Sequence, residues 1–265
     1  MFKSYLKLIL PSFIIKIIQQ FFKRDIKFVG NYKDWSGAVQ NSLGYSSKII
    51  FLKSKESFLK VLNGEAKYER DSVLFYSDSI NYPLMTILSK IQNKKKSCLN
   101  ILDFGGSFGS TYFQNKKILN NKKKFQWSII EQSKIVNFCL KKKLNSNLKF
   151  YNSIKDYSRN NVVDLVLVSS VLQYIETPFI LLDQLIALKA DYLLVLKTPV
   201  HEKSDQIKVQ RVPDYIYKAS YPIRIFNKSR LLNYFKINNY QLIKNNFTNE
   251  FIDNISFQNF FFMRK

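Results

Sequence analysis

The run Ile101-Leu102-Asp103-Phe104-Gly105-Gly106-Ser107-Phe108-Gly109-Ser110 limits what this chain can fold into more than any other part of it. An apolar stretch enters a glycine cluster and leaves toward a helical pattern, which reads as strand, loop and helix. Glycines allow a sharp turn and a close approach of backbone to ligand, and the N-terminus of the following helix favours a polar or anionic group. A dinucleotide-binding turn needs G-x-G-x-x-G. Here Ser107 and Ser110 stand where its second and third glycines belong. The next apolar run ends in an acid, Trp127-Ser128-Ile129-Ile130-Glu131. A carboxylate at that strand end can accept hydrogen bonds from both hydroxyls of a ribose, worth roughly 1.5–3 kcal/mol. Glu131 can equally be an exposed cap of the following helix.

The rest of the chain supports an α/β reading. Downstream of about Ser97, apolar runs at Leu99–Phe104, Phe125–Ile130, Leu148–Tyr151, Val162–Ser169 and Tyr192–Leu196 alternate with helical segments such as Gln132–Lys143 and Thr177–Leu188. That alternation predicts a mostly parallel sheet with helices on both faces. Two late runs, Tyr240–Lys244 and Asn259–Met263, read as a closing antiparallel pair. Upstream, Lys55–Leu62 and Tyr82–Ile91 read as helices separated by the Asn63-Gly64 turn. The expected division is therefore a helical extension over 1–97 and a ligand-binding domain over 98–265.

The first 24 residues carry their own pattern. Beyond Pro11, apolar Phe13, Ile14, Ile17, Ile18, Phe21 and Phe22 oppose Lys16, Gln19, Gln20 and Lys23. The interruptions at Lys7, Pro11 and Lys16 leave too short an apolar run for a spanning helix. A basic amphipathic helix there can lie against an anionic membrane or pack on its own domain. The net charge of +23, from 42 basic and 19 acidic residues, raises nucleic acid as a partner. Yet Lys, Asn, Ile and Phe share AT-rich codons, so codon bias explains the surplus first. Arginine, the better reader of phosphate and guanine, is confined to Arg24, Arg70, Arg159, Arg211, Arg224, Arg230 and Arg264. Cys98, Cys139 and the lone His201 make neither a disulfide framework nor a zinc site, and the expected compartment is the cytoplasm.

Asp103 followed by Gly105, Gly106 and Gly109 resembles the first motif of class I S-adenosylmethionine-dependent methyltransferases, with Ser107 in place of a middle glycine. Asp164–Tyr174 resembles their fourth motif, a buried strand leading to a segment beside the transferred methyl. The Asp/Asn-Pro-Pro-aromatic signature of nucleic-acid amino-methyltransferases is not what Ser169-Ser170-Val171-Leu172 spells, which counts against a nucleic-acid partner. Further stretches, Gly44-Tyr45, Val61–Asp71, Leu102–Gly106, Ser169–Tyr174 and Ala219–Pro222, resemble a family of bacterial methyltransferases encoded among surface-polysaccharide genes. The resemblance implies a Rossmann-like class I methyltransferase fold with a mostly parallel seven-stranded sheet. It also implies S-adenosyl-L-methionine as cofactor, held by Asp103, Gly105, Gly106, Ser107, Gly109, Glu131, Ser169 and Ser170. A saccharide or other small polar acceptor would then meet Gln173, Tyr174 and Gln210, with Tyr221 open between lining that pocket and packing in the core or at its rim. His201 or Asp205, from the polar set after the fifth run, is the expected base. Tyr68-Glu69-Arg70-Asp71 is open between a lid over the cofactor and a surface ion-pair network.

Overall fold

The computed structural model describes residues 26–44, 47–94, 97–120, 124–142, 144–212, 219–252 and 255–265. The amphipathic segment at 1–24 lies outside the described residues. Among those described, no helix is long and apolar enough to cross a membrane.

The centre is a parallel array. Strand β4 (Leu99–Phe104) lies between β5 (Phe125–Ile130) and β7 (Leu165–Ser169), with β6 (Leu148–Tyr151) beyond β5 and β8 (Tyr192–His201) beyond β7. Strand β12 (Ile255–Arg264) runs antiparallel to β8, and β11 (Tyr240–Ile252) antiparallel to β12. The seven strands follow the order β6-β5-β4-β7-β8-β12-β11. Side chains on alternate residues face opposite ways, and both faces are covered. Ile101, Leu165, Leu167, Leu194 and Leu196 pack on one side with helices α2 (Ser47–Leu62), α3 (Tyr82–Lys94), α4 (Ser110–Asn120) and α5 (Ser133–Leu140). Leu102, Val166, Val168, Leu193 and Val195 pack on the other with α6 (Ile154–Ser158), α7 (Pro178–Ile186) and α8 (Lys228–Ile237). Burial on both faces is why these strands read as unbroken apolar runs. Each such Leu or Val contributes roughly 1.5–3 kcal/mol.

Three further strands were not expected. Strand β8 runs to His201, five residues beyond Leu196. From there β9 (Gln206–Val212) and β10 (Ala219–Asn227) form an antiparallel pair, and β1 (Lys27–Tyr32) closes its edge. They cover a small core of Phe28, Ile223, Ile225, Ile255 and Phe257. The stretch before Ser97 is therefore more than a helical extension. It supplies β1, the short helix α1 (Trp35–Gln40) and a hairpin of β2 (Tyr68–Arg70) and β3 (Val73–Phe75). Its helices share the core of the sheet through Phe58, Leu84, Leu88 and Ile91. The β1 residues become a strand because β9 offers them a partner more than 170 residues away, a contact no local pattern encodes.

Candidate functional site

The chain leaves β4 for β5 and β6, then returns to the other side of β4 for β7 and β8. This reversal opens a crevice beyond the carboxyl ends of β4 and β7, where open α/β sheets take their ligands. The glycine loop lies there. Gly105 donates its N–H to Ile130 O at 2.9 Å. It sits at φ +70°, with Val171 so near that an added Cβ would lie 2.5 Å from Val171 Cγ2. Gly109 sits at φ +96° as the chain enters α4. Three non-glycine residues also take left-handed backbone: Ser107 (φ +53°) in the loop, Ser170 (φ +59°) just past β7 and Lys197 (φ +51°) within β8. Each costs roughly 1–2 kcal/mol, and such strain clusters at ligand sites.

Asp103 is fully buried behind the loop. Its Oδ2 accepts a hydrogen bond from Trp127 Nε1 at 3.2 Å, while Oδ1 has no partner. Burial pushes the carboxyl up to about 7, helped by the charge of Glu131 and opposed by the Trp127 bond and Arg70. Gly106 is the only residue type that fits in front of it, since a Cβ would lie 2.7 Å from the carboxyl carbon. Glu131 accepts the Gln132 N–H at 3.0 Å and the Ser107 N–H as well. It therefore ties the glycine loop to the end of β5. Burial raises its carboxyl too.

A buried acid with an orphaned oxygen, a loop too tight for side chains and a second acid at the neighbouring strand end fit a nucleoside bearing a cationic group. Asp103, Gly105, Gly106, Ser107, Gly109 and Glu131 are thus brought together. Ser169 and Ser170 stand at the end of β7, the strand beside β4, with Ser170 N–H bonded to Leu196 O at 3.0 Å.

The Tyr68–Asp71 cluster is tied to α4 through Glu69 and Arg70, while Asp71 is exposed. Glu69 is buried, accepts from Ser110 Oγ at 2.5 Å at the start of α4, and accepts the Ser72 N–H at 3.2 Å. Burial raises it to about 7. Arg70 donates to Gln114 Oε1 at 2.5 Å.

The expected acceptor residues divide. Tyr174 donates its hydroxyl to Gln210 Oε1 at 3.0 Å, and Gln210 Nε2 donates to the Tyr221 hydroxyl at 3.1 Å. The two tyrosine rings meet edge to face at 5.3 Å. Gln173 points elsewhere, fully buried, with Nε2 toward Ser170 Oγ (3.3 Å) and Oε1 unpartnered.

His201 and Asp205 each have partners near the turn between β8 and β9. His201 lies up to about 13 Å of extended chain past Lys197, and its Nδ1 accepts the Lys203 N–H at 3.0 Å. Asp205 accepts the Asn227 N–H at 2.6 Å and pairs with Arg230 at 2.8 Å and Arg224 at 3.9 Å. It staples the β8–β9 connection to the start of α8. Asp205→Ala is expected to lower stability by about 1–3 kcal/mol, because the half-buried Arg224 loses its counter-charge. Denaturant melts that match the parent would remove this reading. Sequence position alone suggested a base here because polar residues after a parallel strand usually edge the crevice. Strand β8 instead continues past the end of its pairing with β7 and reaches His201.

No protein-family profile matches the chain, and no curated protein matches it. Solved structures do match in shape. The N-terminal domain of EvdMO1, crystallised in the presence of SAH and D-fucose, superposes with a TM-score of 0.50 over 83% of this chain and 97% of that one, at 12% identity. Magnesium protoporphyrin IX methyltransferase ChlM from Synechocystis PCC 6803, with bound SAM, gives 0.46 over 69% and 79%, at 13% identity. The glycopeptide N-methyltransferase MtfA complexed with SAM gives 0.48 over 68% and 93%, at 8% identity. At these identities the likeness is one of fold: the chain has the Rossmann-like α/β fold of class I methyltransferases.

Proposed function

We propose that this protein transfers a methyl group from S-adenosylmethionine to a hydroxyl of a saccharide or similarly small polar acceptor. The observation that carries the cofactor reading is Asp103, buried behind Gly106 with Oδ1 unpartnered, beside a loop tied to Glu131. Asp103, Gly105, Gly106, Ser107 and Gly109 would hold the amino-acid end, Glu131 the ribose, and Ser169 and Ser170 the side facing the acceptor. The cofactor supplies a methyl already activated on a sulfonium. The chain's task is alignment and exclusion of water, and positioning of this kind is worth roughly 7–11 kcal/mol.

On the acceptor side, the hydrogen-bonded Tyr174-Gln210-Tyr221 trio offers hydroxyl and amide groups on an aromatic wall, a chemistry suited to sugars. The D-fucose present with the EvdMO1 domain and the resemblance to polysaccharide-gene methyltransferases point the same way. A basic amphipathic segment at 1–24 would hold such an enzyme against the inner face of an anionic membrane, where envelope glycans are assembled.

The test is transfer of labelled methyl from S-adenosylmethionine to nucleotide-sugars or envelope glycans, with mass spectrometry locating the new methyl on oxygen. Tyr221→Phe and Gln210→Ala are expected to raise the acceptor KM by roughly 5–50-fold with little change in cofactor affinity. Label on RNA, protein or lipid amine instead refutes the saccharide assignment.

A further inference from the structure

We propose that the amino ends of the parallel strands form a docking surface for an anionic lipid membrane, at the end of the molecule opposite the ligand crevice. The proposal extends the reading of an enzyme held at such a membrane, and it draws on none of residues 1–24.

The topology gathers charge that the sequence scatters. Parallel strands put their carboxyl ends at the crevice, so their amino ends lie together roughly 17–20 Å away. Strands β6, β5 and β4 are neighbours, spaced about 4.8 Å apart. The chain entering each one carries lysine: Lys94 before β4, Lys124 before β5, and Lys141 and Lys142 before β6. All four are exposed. Lys95, Lys96, Lys122, Lys123 and Lys143 continue the same runs in the sequence and lie outside the described residues. Exposed Lys189 precedes β8. Exposed Lys236 ends α8 ahead of β11, whose first residue Tyr240 pairs with Arg264 beside the start of β8.

Little acid opposes them. In the connections entering β4 to β8, the acids are Asp164 and Asp191. Asp164 is buried and accepts the Asn100 N–H at 2.7 Å, and Asp191 pairs with Arg264 at 3.0 Å. The helix dipole favours a lysine in a last turn, which accounts for Lys94 and Lys236. It does not account for Lys124 and Lys189, nor for the large apolar side chains exposed at this end. These are Leu140 closing α5, Val162 before β7 and Ile237 closing α8, exposed by 62%, 76% and 69%. Ammonium groups around projecting apolar side chains match anionic headgroups over hydrocarbon. A nucleic-acid backbone would use the cations and leave the apolar side chains idle. The arginines at this end, Arg159 and Arg264, are already paired with Asp156 and Asp191. Docked this way, the crevice opens away from the bilayer, toward a water-soluble acceptor.

The test is sedimentation of the full chain with phosphatidylcholine vesicles that contain or lack phosphatidylglycerol. Lys94→Gln, Lys124→Gln, Lys141→Gln and Lys142→Gln together are expected to weaken binding to the anionic vesicles roughly 100-fold or more. The control removes the same charge elsewhere, with Lys27→Gln, Lys33→Gln, Lys67→Gln and Lys203→Gln, and is expected to stay within about fivefold of the parent. Thermal melts and S-adenosylhomocysteine affinity should match the parent in both sets. Equal losses in the two sets would show that net charge rather than this surface drives binding, and would overturn the proposal. Full binding by the first set overturns it too, and leaves membrane contact to residues 1–24. A parent that ignores anionic vesicles but binds RNA through the four lysines overturns it in favour of nucleic acid. A parent that binds neither overturns the membrane reading as a whole, while methyl transfer stands or falls on its own assay.

Discussion

Gly106→Ala is expected to abolish measurable binding of S-adenosylhomocysteine, a loss of roughly 100-fold or more, while the protein still folds. The backbone of Gly106 is outside the left-handed region, so alanine brings no conformational strain. Its methyl would instead lie 2.7 Å from the carboxyl of Asp103. That carboxyl is fully buried and held by Trp127, with the sheet behind it, so the loop must move. Displacements of an ångström at a ligand site cost about two orders of magnitude. The neighbouring Gly105→Ala would add backbone strain at φ +70° and a 2.5 Å contact with Val171, so it is expected to lose stability as well as binding. Calorimetry and thermal melts on both variants are the check. Gly106→Ala binding within threefold of the parent would refute the close approach of ligand to this loop.

The second large effect is on pH. Burial holds Asp103 at about 7 in the free protein. An ammonium at Oδ1 favours the carboxylate, so binding should release a proton wherever the free protein is protonated. Affinity for S-adenosylhomocysteine is therefore expected to rise as pH rises, by roughly tenfold or more between about pH 5.5 and 7.5, and to level off above. Measuring binding in buffers of different ionisation enthalpy reports the proton directly. Asp103→Asn keeps the shape and can still accept from Trp127, but it should weaken binding roughly 10–100-fold and flatten the pH dependence. Glu69 also sits near 7, so Glu69→Gln is the control that should keep the slope.

The same pair sets a sign for stability. Both carboxyls are raised above their unfolded values. Between about pH 4 and 7 the unfolded chain therefore binds fewer protons than the folded one, and stability of the free protein falls as pH rises through that window. Affinity independent of pH would show that Asp103 is not the ammonium's partner.

Much of this site was legible because it is local. Asp103, the glycines and Glu131 are read at strand ends flanked by apolar runs, and the parallel strands β4, β5 and β7 keep those runs because both faces are buried. The antiparallel extension was not legible. Gln206–Val212 mixes Ile207, Val209 and Val212 with Lys208, Gln210 and Arg211, while Ala219–Asn227 carries Pro222, which usually demotes a strand. Some signal was there, since Ile223 and Ile225 alternate with Arg224 and are the buried pair. The Tyr68–Phe75 hairpin had less to announce it, since the four residues Tyr68–Asp71 stand more than 30 positions before Asp103. His201 and Asp205 were placed by a rule about strand ends, and β8 did not end where its parallel pairing with β7 did.

The sequence by itself determined the strand–glycine loop–helix, the two strand-end acids and the layered α/β class, because backbone freedom and hydrophobic periodicity are properties of neighbouring residues. The tertiary structure decided how deeply each acid is buried, which raises both Asp103 and Glu69 to about 7. It decided that β1 pairs with β9, that Asp205 is spent on Arg224 and Arg230, and that the Tyr68–Phe75 hairpin stands over the loop at Ser110. Desolvation, ion pairing and edge-strand pairing all depend on groups distant in the chain, and only the packed fold brings those groups within reach.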